Sequence, residues 1–88
     1  MQNAVPEANA RPLTFGEKSV GITFNPGKNE RVESIKQKFA AIIDELQEIK
    51  NPSSGAMQNG EVARMLSVAI TEAQTAQMWA VKAVTWQY

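Results

Sequence analysis

Residues 70–86, ITEAQTAQMWAVKAVTW, have the composition of a helix but carry only two charges, Glu72 and Lys82. The helical pattern reaches back to about Asn59 or Gly60 and forward to about Trp86, so one long helix is predicted over that span. Ala69, Ala73, Ala76, Ala80 and Ala83 recur in steps of three and four, and a seam of small side chains lets another helix backbone come close. A further face presents Met65, Val68, Ile70, Val81 and Val84, with Trp79 and Trp86 to its side. Two faces of one helix therefore require cover.

The candidate partner lies upstream. Asn29 is suited to cap a helix, and Glu30 and Glu33 favour the positive end that follows it. Val32, Ile35, Phe39, Ile42, Leu46 and Ile49 then form a heptad-like seam, while Arg31, Lys38, Asp44, Glu45 and Glu48 fall on a face read as solvated. Asn51-Pro52-Ser53-Ser54-Gly55 ends this helix and opens a loop. Helices of about 33 and 40 Å, joined by about nine residues, suit an antiparallel hairpin. The fold class expected is all-α: a helical hairpin over 29–86, preceded by a short segment and turn over 13–28 and a mobile arm over 1–12. Within the segment, LTFGEKSVGITF (13–24) fits extended pieces or one helical turn, and Asn25-Pro26-Gly27 is turn chemistry.

The chain of 88 residues is one domain at most. A two-helix hairpin encloses almost no core, and the first helix offers one apolar seam against two faces of the second. A symmetric homo-oligomer is therefore expected to bury the remainder. The competing arrangement has residues 1–24 folding back over the second face, although few large apolar side chains are available there.

Nine basic and nine acidic side chains cancel, which argues against a protein that coats DNA or RNA. Cysteine and histidine are absent, excluding disulfides, thiolate or imidazole metal sites, and catalysis by either residue. The opening MQNAVPEANARP has no signal-peptide pattern, and no uncharged apolar run approaches the roughly 20 residues of a membrane span. A cytoplasmic protein with no membrane partner is expected.

Few residues offer chemistry. Asp44-Glu45-x-x-Glu48 resembles half of a magnesium-binding acidic motif, but Glu61 and Glu72 supply no second acidic pair, so no metal is expected. Glu72, in an apolar helix, is read as an interhelical ion-pair partner for Lys36 or Lys38 of the same or another subunit. Anion binding has more support. Gly27-Lys28-Asn29 leads straight into a helix N-terminus, with Lys28 and Arg31 adding charge. Arg64, the sole basic residue between Lys50 and Lys82, would be repeated around the axis of a symmetric assembly and could grip several phosphates; its plainer role is a salt bridge to Glu61. Phe15 and Phe24 are candidates for stacking on nucleobases, or are simply packing residues.

The stretch RMLSVAITEAQTAQMWAVKAV (64–84) resembles the C-terminal helix of the phage helical-hairpin sponges. This family counters CBASS and Thoeris immunity by sequestering cyclic nucleotide or ADP-ribose signals. Arg64, Leu66, Thr71, Gln74-Thr75 and Met78 align without a gap, with a basic residue following at Lys82. The first helix is similar around VESIK (32–36) and AAIIDEL (40–46), so the resemblance covers roughly residues 29–86. It implies a homohexamer that binds cyclic oligonucleotides in the cytoplasm of an infected bacterium without cleaving them, using no cofactor. It also implies that cyclic dinucleotides lie between paired subunits, clasped by an aromatic ring and a first-helix lysine, to which Lys36 corresponds. Cyclic trinucleotides would sit on threefold axes, gripped by an arginine to which Arg64 corresponds. The segment before the first helix departs from the family pattern and holds no tyrosine, so Phe15 or Phe24 must supply the ring. The ligand-binding set expected is thus Arg64, Lys36, Phe15, Phe24, Lys28 and Thr71. Some relatives carry an N-terminal β-rich part for ADP-ribose signals; the twelve structured-looking residues 13–24 ahead of NPGKN are too few to expect it here. The rival readings are a helical adaptor without a nucleotide ligand and a degenerate magnesium-dependent pyrophosphatase.

Overall fold

The computed structural model describes residues 11–88, so most of the arm expected over 1–12 lies outside the described residues. Three helices and no strand occur among them: α1 over Phe15–Val20, α2 over Glu30–Lys50 and α3 over Gly60–Val84. The all-α class holds, with α2 and α3 forming the hairpin.

Both long helices start where a side chain can replace the missing backbone acceptors. The Asn29 side chain accepts hydrogen bonds from the N–H groups of Arg31 and Val32, at 2.8 and 3.2 Å. Asn59 does the same for Glu61 and Val62. Between them, Glu48 receives both the N–H and the hydroxyl of Ser53, tying the connecting loop to the end of α2.

The segment left open by sequence is helical. Thr14 and Glu17 form a reciprocal capping box at the start of α1. Gly21, at φ 63, ends the helix in the left-handed region. There the N–H of Ile22 donates to the Glu17 carbonyl and that of Gly21 to Lys18, the paired bonds of a Schellman ending. A six-residue helix is too short to persist by itself. What holds α1 is α2. The N–H of Gly16 donates to Asp44 Oδ1 at 2.6 Å, and the Lys36 ammonium donates to the carbonyls of Gly21 and Phe24 just beyond the other end. The charges match the helix dipole, an anion at the N-terminus and a cation past the C-terminus. Ala40, midway between the clamps, meets Gly16 so closely that a Cβ there would stand 2.1 Å from the Ala40 carbonyl oxygen. Only glycine fits.

This arrangement rotates α2 away from its expected face. Val32, Lys36, Ala40 and Ile43 are buried, whereas Ile42 and Ile49 are exposed and Ile35 is half-buried. Two members of the expected seam therefore point outward, because α1 occupies the stripe through Lys36, Ala40 and Asp44. Asp44 likewise leaves the solvated face to which it was assigned. On α3 the inward residues are Ile70 and Gln77, with Leu66, Ala73, Val81 and Val84 half-buried. Ala76 and Ala83 of the alanine seam face out, as do Met65 and Val68. Glu72 is exposed, and within the chain it pairs with neither Lys36 nor Lys38.

The buried apolar core among the described residues is small: Val20, Val32, Ala40, Ile43 and Ile70, of which only Ile43 is fully enclosed. Val20, Ala40, Ile43 and Ile70 form its centre, where all three helices meet, with Ile22, Phe39, Leu46 and Ala73 around them. The described residues form a flat body with extents of 43 × 36 × 12 Å.

Candidate ligand-binding site

The hairpin carries the end of α3 back beside the start of α2, and a cleft of about 470 Å³ opens there. Its walls include Phe24 and Asn25 of the first loop, Val32 and Lys36 of α2, and Val84 and Trp86 at the end of α3. The loop is fixed by its own polar groups. The Asn25 side chain accepts from the Asn29 N–H and donates to the Asn29 carbonyl, at 3.1 and 3.0 Å. A turn bond runs from the Lys28 N–H to the Asn25 carbonyl. Lys28, not Gly27, takes the left-handed conformation, at φ 51. That is an unfavoured place for a lysine, and it lifts the side chain into solvent beside α2.

Phe24 and Lys36 are brought together. The Lys36 ammonium lies 5.6 Å from the centre of the Phe24 ring, within cation–π range. The ring itself is 71% exposed and the lysine 5%, so an exposed aromatic surface stands over an enclosed cation. Two of the three ammonium donors reach backbone carbonyls, which leaves one N–H for an incoming group. Phe15, the other candidate ring, begins α1 and does not line this cleft. Lys28 stands outside it, bordering a shallower hollow with Ile22 and Glu33.

Arg64 lies in the second turn of α3, with its guanidinium forked onto Glu61 at 2.6 and 3.1 Å. The plainer role foreseen for it is therefore realised within one chain. The hydrogen bond raises the Arg64 pKa and lowers that of Glu61, keeping both charged. Thr71 is exposed two turns further along, and its carbonyl accepts the Thr75 hydroxyl. The single chain does not bring Arg64 or Thr71 to the Phe24–Lys36 cleft. The described residues hold no cluster of three or more metal-ligating side chains, and none of their helices is long and apolar enough to cross a membrane.

A family model described as "Acb2/Tad1, hairpin domain" matches residues 17–85. The chain belongs to this family. It is the anti-CBASS and anti-Thoeris sponge family indicated by the resemblance along α2 and α3, and the match also takes in most of α1. Comparisons with curated proteins and with solved structures returned no match. In this Acb2/Tad1 hairpin, two of the residues expected from sequence, Lys36 and Phe24, meet at one cleft, whereas Phe15, Lys28, Arg64 and Thr71 lie elsewhere. Sequence reasoning missed Trp86 as a wall of the same cleft. The available signal was the antiparallel hairpin, which places the last turn of one helix against the first turn of the other.

Proposed function

We propose that this chain is an anti-defence sponge that binds cyclic di- and trinucleotide signals and holds them without cleavage. The observation that carries the reading is the pairing of an exposed Phe24 ring with the enclosed Lys36 ammonium at one cleft, in a chain of the Acb2/Tad1 hairpin family. A nucleobase can stack on the ring while a phosphate oxygen takes the remaining lysine donor. The carboxylates give no support to the pyrophosphatase alternative: Asp44 caps α1 and Glu48 caps the loop at Ser53. Sequestration needs tight binding alone, enough to keep free signal below the level its receptor detects.

Arg64 is assigned to cyclic trinucleotides, with Thr71 on the same helix. Copies of Arg64 around a threefold axis, in a hexamer, would exchange Glu61 for ligand phosphates, since a guanidinium fork accepts either anion. The site is then an anteroom in one chain and a complete socket only in the assembly. The place of action is the cytoplasm of an infected bacterium.

A structural adaptor without a ligand is the second reading, favoured by the exposed face of α3 bearing Met65, Val68, Met78 and Trp79. Retention of ligand separates the two. The protein is incubated with cyclic triadenylate and a cyclic dinucleotide, washed, and heated to release what it holds. Intact ligand is expected, with Arg64→Ala losing at least tenfold in affinity for the trinucleotide at unchanged oligomer mass. Hydrolysed product would establish an enzyme, and no retention of either ligand would establish the adaptor.

A further inference from the structure

Two ion pairs occur among the described residues, and they differ in what else they do. In the first, Glu17 pairs with Arg11 and also accepts the Thr14 N–H, so it belongs to the cap of α1. In the second, the Glu61 carboxylate accepts hydrogen bonds from the Arg64 guanidinium alone among the described residues. Both of its side chains stay open to solvent, Arg64 at 63% and Glu61 at 60%. An exposed pair three residues apart on one helix adds little to stability. The backbone under Glu61 is nonetheless fixed, because its N–H donates to the Asn59 side chain at 2.8 Å. From there the carboxylate takes Nε and Nη2 of Arg64, one of the two forked edges by which a guanidinium holds a phosphate.

We propose that Glu61 is a built-in competitor that sets how tightly Arg64 holds a cyclic trinucleotide. The proposal rests on the assignment of Arg64 to that ligand and goes beyond it by naming the residue that opposes binding. A phosphate arriving at the occupied edge must displace the carboxylate. One arriving at the other edge meets the same negative charge across the guanidinium. Binding is opposed in either case. Protonation gives no relief near neutral pH, because the hydrogen bond from Arg64 lowers the Glu61 pKa below the usual carboxylate range. For a pair so exposed, the opposition amounts to roughly twofold in affinity for each copy. Repetition enlarges it: where three copies face one ligand, roughly twofold per chain compounds to about eightfold. Glu61 therefore acts as a positioning residue for Arg64, holding the guanidinium in place while no ligand is present and yielding it when three phosphates arrive together.

Removing the charge while keeping the shape tests this directly. In calorimetric titration of the full chain, Glu61→Gln should bind cyclic triadenylate about eightfold more tightly, with helix content and oligomer mass unchanged. Its affinity for cyclic diadenylate should stay the same, because neither Glu61 nor Arg64 lines the Phe24–Lys36 cleft. Adding Glu61→Gln to Arg64→Ala should leave that variant's weak binding as it was, since the competitor then has nothing to contest. Unchanged or weaker triadenylate binding in Glu61→Gln would overturn the role of Glu61 while leaving trinucleotide binding standing. So would an equal gain for both ligands, or a gain that persists without Arg64. If the unchanged protein fails to bind cyclic triadenylate, or Arg64→Ala binds it equally well, the reading of Arg64 falls and the competitor falls with it.

Discussion

The ammonium of Lys36 serves the fold itself. It is nearly enclosed and donates to the carbonyls of Gly21 and Phe24, which close the C-terminal end of α1 and set the loop that carries the Phe24 ring. Lys36→Met keeps the length of the stem but leaves both carbonyls without that donor. A destabilisation of about 1–3 kcal/mol is expected in urea unfolding, in line with unsatisfied buried polar groups. The same variant should lose cyclic-dinucleotide binding by two routes, a missing phosphate donor and a displaced ring. Binding measured without stability would confuse them. If the urea midpoint is unchanged, the clamp assigned to Lys36 is wrong. Gln77 is also buried, and among the described residues its amide makes no hydrogen bond; nothing in the structure explains its presence.

At the level of elements, α1 depends most on its surroundings. Its start is secured by Glu17, which accepts two hydrogen bonds from Arg11 at 2.8 Å and one from the Thr14 N–H. The Arg11 hydrogen bonds, followed by that from Thr14, lower the Glu17 pKa from 4.5 to about 2. The folded form therefore binds this proton less readily than the unfolded chain, so the stabilisation is complete above pH 4.5 and lost as pH falls toward 2. Comparing unfolding of the unchanged protein with Glu17→Gln should show the largest difference above pH 4.5, shrinking to nothing near pH 2. The contribution is modest, because Arg11 is largely exposed. A difference that grows on acidification would contradict the assignment.

The elements also show what the sequence could express. α2 and α3 were legible because Asn29 and Asn59 are capping residues, apolar positions recur with helical spacing, and Pro52 and Gly55 interrupt the chain. α1 was not. Its six residues have no period long enough to read, and its existence depends on Lys36 and Asp44, which are distant in sequence. Those charges look like surface residues until the helix they clamp is known. The rotation of α2 has the same origin: counting apolar positions selected Ile42 and Ile49, whereas Ala40 and Gly16 set the closest approach. Lys36 and Phe24 could be proposed from the sequence, but their meeting depends on the Gly21 ending and the Asn25 turn. Trp86 joins them only through the hairpin.

For the whole molecule, the exposed face of α3 sets the expectation. Met65 is 50% exposed, Val68 46% and Trp79 65%, and none is covered by α1, which packs chiefly on α2. So much accessible apolar surface on so small a chain favours assembly. Light scattering should report a multiple of the chain mass, with a hexamer as the expected form. Val68→Glu should shift it toward the single chain while helix content persists. A well-folded monomer at micromolar concentration would remove the basis for the threefold Arg64 site.

A body so flat has almost no depth in which to store information. Most side chains either fill the narrow seams between helices or belong to one of two broad outer surfaces. Those surfaces can be rewritten with little disturbance to the seams, much as the two sides of a tile can be glazed differently on the same clay. One side can then be specialised for joining neighbours while the rim, where the cleft lies, is tuned to a different guest.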